Sequence, residues 1–192
     1  MIRRVVPLCL LVSMSLAACG TTASNVILCD GGEDTLILTA QAVPSATMVP
    51  CITAFAAGWT YGGFLAESGM VRYWMDSDRA GIHAIEVQLT ERCDASGAVE
   101  VDTGPEVSGV RRFEQPISLE PRLSGLRFFT FTGGCVTFRY DIAEGAPSTL
   151  LLEADLGMTL IPRSTLAAAL AESRDLILCG AGAPPCEGET GS

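Results

Sequence analysis

Leu126 to Thr132 and Cys135 to Ile142 alternate apolar and polar residues on either side of Gly133-Gly134. No other feature constrains the fold as tightly. A period of two gives a strand one apolar face. A Gly-Gly pair between two such runs allows the positive φ of a tight hairpin loop. The expected register sets Phe131 against Val136 and Phe129 against Phe138 on the apolar side, with Thr130 facing Thr137 on the other. Arg127 then faces Tyr140, and Arg139 lies on the opposite face, across from Phe128. These two arginines diverge, and Arg111-Arg112 does not join them, so the arginines read as solvated or salt-bridged faces rather than an anion grip.

A lone hairpin is not stable in water, and further strands are legible. Trp59 to Leu65 and Met70 to Met75 flank a turn at Glu67-Ser68-Gly69. Val71, Tyr73 and Met75 face one way; Arg72, Trp74 and Asp76 face the other. His83 to Thr90 alternates with Ile85, Val87 and Leu89 inward, and His83 shares their parity. Thr35 to Val43 reads as a first strand, and Pro50 to Ala57 as one helical turn with Pro at its start. Residues 93–108 read as an exposed loop, Val110 to Glu114 as a short edge strand, and Pro116 to Ser124 as irregular. Ser148 is placed to cap a helix over Leu150 to Gly157, with a strand as the alternative where Thr159 and Ile161 follow. A helix from Pro162-Arg163-Ser164 would align Leu166, Leu170, Ser173 and Ile177, with Gly180 at its C-terminal cap. The sum is an α+β domain: an antiparallel sheet of about six to seven strands with one or two C-terminal helices, stapled by disulfides.

The front of the chain carries a different signal. Arg3-Arg4 precedes an apolar run from Val5 to Leu16, too short to span a bilayer, and then small residues up to Cys19. Leu16-Ala17-Ala18-Cys19 resembles the lipobox of bacterial lipoproteins. The resemblance covers about the first twenty residues. It implies a signal peptide over 1–18, a diacylglyceryl group on the Cys19 thiol, cleavage that makes Cys19 the new N-terminus, and a lipid bilayer as partner. Two acyl chains hold a protein stably where one does not. Gly20 lacks the aspartate that retains such proteins at an inner membrane, which implies an outer membrane where there are two. Residues 19–30 then form the acylated cysteine and a short tether, since residues 20–28 reach only about 30 Å. The expected domain runs over 31–180, and 181–192 forms a flexible, disulfide-closed tail.

Export fixes the use of the other cysteines. Cys9 leaves with the signal. Cys29, Cys51, Cys93, Cys135, Cys179 and Cys186 remain, an even set that reads as three disulfides. The sequential pairing Cys29–Cys51, Cys93–Cys135 and Cys179–Cys186 brackets three local units. C-x-x-C spacing is absent, which argues against zinc and redox pairs.

Charge and composition remove whole classes of function. The formal charge is −10, and −12 without Arg3 and Arg4. Such a domain does not bind nucleic acid by neutralising phosphates, and anionic lipid repels it. All 12 basic residues are arginine, so catalytic lysines and Schiff bases are excluded. His83 is the one histidine, which excludes multi-histidine metal sites. There is no phosphate loop, dinucleotide fingerprint or G-x-S-x-G. No cofactor is implied.

Two groups of residues remain as candidates. Asp76-Ser77-Asp78-Arg79 places two carboxylates where they could share a cation, although a calcium loop would need Glu where Val87 stands. A turn is the simpler reading. Together with His83, Asp76 and Asp78 are the catalytic candidates. Trp59, Tyr61, Tyr73 and Trp74, near Phe64, are the binding candidates, with core packing as the simpler reading. The leading expectation is a non-enzymatic, membrane-anchored module on the extracytoplasmic face, binding a small ligand or an envelope protein. The alternative is a cell-envelope enzyme or accessory subunit using Asp76 and Asp78 with His83.

Overall fold

The computed structural model describes residues 29, 32–53, 55–102, 108–119 and 121–183. The expected signal peptide, Cys19 and Cys186 lie outside them. Helix α1 (Gly32–Ala42) comes first, then strands β1 (Met48–Ile52), β2 (Trp59–Glu67), β3 (Met70–Ser77) and β4 (Gly81–Thr90). Strands β5 (Val99–Val101), β6 (Arg111–Ser118), β7 (Leu123–Phe131) and β8 (Gly134–Ile142) follow. Helix α2 (Thr149–Gly157), strand β9 (Met158–Pro162) and helix α3 (Arg163–Arg174) complete the order. The fold is α+β. Seven strands form an antiparallel sheet in the order β2-β3-β4-β8-β7-β6-β5, and β1 pairs with β9 in a separate ribbon.

The sheet is two meanders joined side by side, and β4 against β8 is the seam. Its inner face is apolar: Val71, Tyr73 and Met75 of β3, Ile85, Val87 and Leu89 of β4, and Val136, Phe138 and Ile142 of β8 are all buried. The alternation expected for β3 and β4 from residue 84 onward is the one observed. Val43, Ala46, Ile52, Leu150 and Ala154 cover this face. A second core lies beyond it. There Leu36, Ile37 and Ala40 of α1, Val49 and Ile161 of the ribbon, and Leu166, Ala167 and Leu170 of α3 pack together with Leu178. The ribbon is therefore the middle layer, with the sheet beneath it and α3 above.

Disulfides join Cys29 to Cys51 and Cys93 to Cys135. The first ties the chain ahead of α1 to β1. The second lies at the seam, where Cys135 stands opposite Thr90. Cys179 is also disulfide-bonded.

Several local expectations are corrected. Thr35 to Val43 is helical, within α1 and the turn after it. Leu36, Ile37 and Ala40 are buried at helical spacing, and Glu33 and Asp34 favour the helix N-terminus. That packing overrides the β-branched Thr35, Ile37 and Thr39. Residues 50–52 are strand, not a helical turn, because β1 pairs with β9. Each strand of a two-stranded ribbon has a free edge, where Pro50 is tolerated. Residues 158–162 take the strand alternative. The 93–108 loop contains β5, so β6 is internal and reaches Ser118.

The β7–β8 register is shifted by two residues. Phe131 faces Gly134, Thr130 faces Cys135, Phe129 faces Val136 and Arg127 faces Phe138. Gly133 has φ 70° and takes the turn with Thr132. Gly134 is a buried strand residue, where a Cβ would lie 2.8 Å from the Ala46 Cβ. Close packing, rather than turn geometry, explains the second glycine. Arg139 consequently stands opposite Leu126 instead of Phe128.

Ser148 makes no side-chain cap bond to α2. Helix α3 stops at Arg174, and Asp175 (φ 53°) takes the left-handed cap expected of Gly180. Ser173 and Ile177 are therefore exposed, and Leu178 enters the core instead.

The first residue of α3, Arg163, is fully buried. Its guanidinium donates to the carbonyls of Ala40 and Cys179, and its backbone N–H donates to Thr47 O at 2.8 Å. Ala40 O is among the last carbonyls of α1, which lack partners within the helix. Arg163 thus pins the end of α1 and the C-terminal segment to the ribbon.

Candidate functional site

Strand parity sends one set of polar and aromatic side chains to the outer sheet face, away from α1, α2 and the ribbon. Trp74, Glu86, Arg139 and Leu126 form one cross-strand row over β3, β4, β8 and β7. Arg72, Gln88, Thr137 and Phe128 form the next. An open depression of about 390 Å³ lies over the first row, lined by Trp74, His83, Glu86, Ile117, Ser124, Arg139, Tyr140 and Asp141.

Trp74 is fixed on three sides. Its Nε1–H donates to Glu86 Oε2 at 3.0 Å, and its ring stacks on His83 with centroids 5.3 Å apart. A Cβ on Gly63 would lie 3.3 Å from Trp74 Cε3, so the indole rests close over the bare backbone of β2. Glu86 uses its other oxygen on Arg72 Nε, at 3.3 Å.

His83 does not share the inward parity of Ile85. The β3–β4 register shifts between Met75 and Ser77, His83 adopts φ 51°, and its side chain is exposed. Asp76 Oδ1 accepts the His83 N–H at 2.7 Å and holds this conformation. A positive φ at a residue with a side chain costs energy and needs such support.

Asp76 and Asp78 belong to different places. Asp76 lies over Gly62, where a Cβ would be 2.6 Å from its Oδ1. Asp78 is exposed beside Gly58 and lines a shallow depression with Ala56, Ala57, Arg79 and Glu153. Arg79 donates to Glu153 Oε2 at 2.6 Å and to Ala57 O at 2.9 Å, and is 3.7 Å from Asp78. Arg79 holds the Glu153 carboxyl below the usual carboxylate range. The paired acid and base that the enzyme alternative requires are thus not brought into one cleft with His83. Among the described residues no group of three His, Cys, Asp or Glu side chains could hold a metal ion.

The aromatic candidates also divide. Trp59 is buried, with Nε1 donating to Glu153 at 3.3 Å, and Tyr61 and Tyr73 stack in the core at 6.4 Å. Only Trp74 faces outward. Tyr61 and Tyr73 line a cavity of about 20 Å³ beside the Cys29–Cys51 bridge, and neither hydroxyl has a hydrogen-bond partner among the described residues. Burial pushes the Tyr61 phenol up to about 12. Burial first, and the nearby Tyr61 second, push Tyr73 higher still; Tyr140 is also raised, chiefly by burial.

These are all 3 tyrosines of the chain, so near-ultraviolet phenolate absorbance of the folded protein should show no step at the ordinary value of about 10. The unfolded chain ionises first. The tyrosines therefore contribute stability fully below pH ~10, and that contribution is lost as pH rises through the folded values. A reversible one-tyrosine step near pH 10 without unfolding would contradict this.

At the margin of the inner face, Arg112, Glu114 and Arg127 meet Asp155 of α2. Arg127 also lies over the rings of Phe138 and Tyr140, at 5.8 and 5.6 Å. This balanced cluster fastens α2 to the sheet.

Sequence reasoning gave the parity of Trp74 but missed Glu86, Ser124 and Asp141 as its neighbours. The outward parity of Glu86 was legible; Ser124 lay in a stretch read as irregular, and the β4–β8 seam that brings the three together was not legible. Comparison with protein-family models, with curated proteins and with solved structures finds no match.

Proposed function

We propose that this chain is a lipid-anchored, extracytoplasmic binding module, attached to its membrane through Cys19 and presenting the outer sheet face to a ligand. The observation that carries the binding half is the Trp74–His83 platform, held by Glu86, Gly63 and Asp76 in an open depression. A strained residue kept in place by a dedicated hydrogen bond is costly where only a solvated surface is needed. The lipobox resemblance at Leu16-Ala17-Ala18-Cys19 supports the anchor. Two disulfides and a disulfide-bonded Cys179 support an oxidising compartment. Among the described residues no helix is long and apolar enough to cross a membrane.

Expression of the full chain with Cys19→Ala tests the anchor. The variant is expected to lose essentially all membrane retention, or to accumulate unprocessed. Membrane fractionation and intact mass report this. Retention and maturation equal to the unsubstituted chain would sink the anchor.

A further inference from the structure

We propose that the outer-face depression is a site for an anionic group, a carboxylate or a phosphate, gripped by Arg139 with the Ser124 hydroxyl and His83 beside it. This rests on the reading of the outer face as a binding surface and names what it binds.

The carboxylates of the depression are already engaged. Glu86 is held by Trp74 Nε1 and Arg72. Asp141 accepts from both Nε and Nη2 of Arg122. Nearby Asp76 is occupied by the His83 N–H. The cation is not engaged. Arg139 is exposed and makes no ion pair or side-chain hydrogen bond among the described residues, although Glu86 stands opposite it in register. Every other arginine within a helix or strand is taken: Arg72, Arg111, Arg112, Arg127 and Arg174 by carboxylates, Arg163 by carbonyls. In a chain of charge −10, where acceptors outnumber arginines, a free guanidinium in a walled depression is the exception.

A guanidinium offers a planar fork of donors that matches a carboxylate or phosphate edge. Ser124, two residues from Leu126, adds a hydroxyl donor, and His83 an exposed imidazole. Ile117, 61% exposed, leaves an apolar wall for the body of the ligand. The volume suits a small organic anion rather than a polymer.

The test uses the full chain in zwitterionic micelles, with three probes that share one body: benzoate, phenyl phosphate and neutral benzyl alcohol. The Nε–H signals of arginine and the Nε1–H signals of Trp74 and buried Trp59 are followed by NMR. Benzoate, phenyl phosphate or both should shift Arg139 and Trp74 saturably and leave Trp59 still; which of the two does so distinguishes carboxylate from phosphate. Arg139→Gln, with its thermal midpoint unchanged, should weaken binding at least tenfold, whereas substitution of Arg92, an exposed arginine in the β4–β5 connection, should not. Equal binding of benzyl alcohol, or unchanged affinity in Arg139→Gln, would overturn the anion site while leaving a binding face at Trp74. Linear, equal shifts at Arg92 and Arg139 would overturn it as general charge screening. Membrane fractionation of Cys19→Ala reads the anchor independently.

Discussion

Replacing Cys93 and Cys135 together by alanine is expected to cost the fold about 4 kcal/mol, the chain-entropy value for a loop of this length. The two residues are 42 apart in sequence, the longer of the two loops, against 22 for Cys29 and Cys51. The bridge also staples the end of the seam between the two meanders, where Cys135 stands opposite Thr90 in the β4–β8 ladder. Cutting it frees a loop that contains β5, β6 and β7 in the unfolded ensemble. Urea unfolding of the oxidised chain and the double variant would measure the loss as a difference in free energy extrapolated to water, with a steeper slope in the variant whose unfolded chain is no longer cross-linked. A loss below about 1 kcal/mol would mean that the unfolded chain already keeps the seam together.

Arg163→Ala is expected to cost about 3 kcal/mol or more. The change leaves the carbonyls of Ala40 and Cys179 without their donor and opens a cavity where a fully buried side chain stood. Arg163→Met separates the two causes. Methionine fills most of the volume but donates nothing, so it should fall between arginine and alanine. Burial disfavours the Arg163 charge, and the partners of its guanidinium are carbonyls rather than carboxylates. Replacing a desolvated charge by a well-packed apolar group can recover part of the loss. Chemical denaturation of the three proteins gives the order. If methionine matched alanine, the hydrogen bonds would dominate; if alanine matched arginine, the pinning role would fall.

The strands of the sheet were legible because each repeats apolar residues at every second position. Val71-Tyr73-Met75 and Ile85-Val87-Leu89 needed no tertiary information. The helix at Gly32–Ala42 was not legible, because Thr35, Ile37 and Thr39 favour strand locally and only contact with Ile161 and Leu166 in the second core selects the helix. The site was half legible. Alternation put Trp74 outward, but His83 was assigned inward because a register shift beside Ser77 is invisible to a strict period of two. Local pattern gives no strand order either, so Glu86 and Arg139 became neighbours only when β4 met β8. Asp76 and Asp78, adjacent in pattern, separate because the chain turns between them.

If the chain is anchored through Cys19 as proposed, the Cys29–Cys51 bridge sets how a pull enters the domain. Tension entering at residue 29 crosses the sulfur bridge directly to β1 and bypasses everything between the two cysteines. Helix α1 therefore carries none of the load, and a pull on the tether is borne first by the β1–β9 ladder. The seven-stranded sheet, with the outer-face depression, lies downstream of that ladder. A pull of that kind can open the ribbon while the outer sheet face keeps its shape.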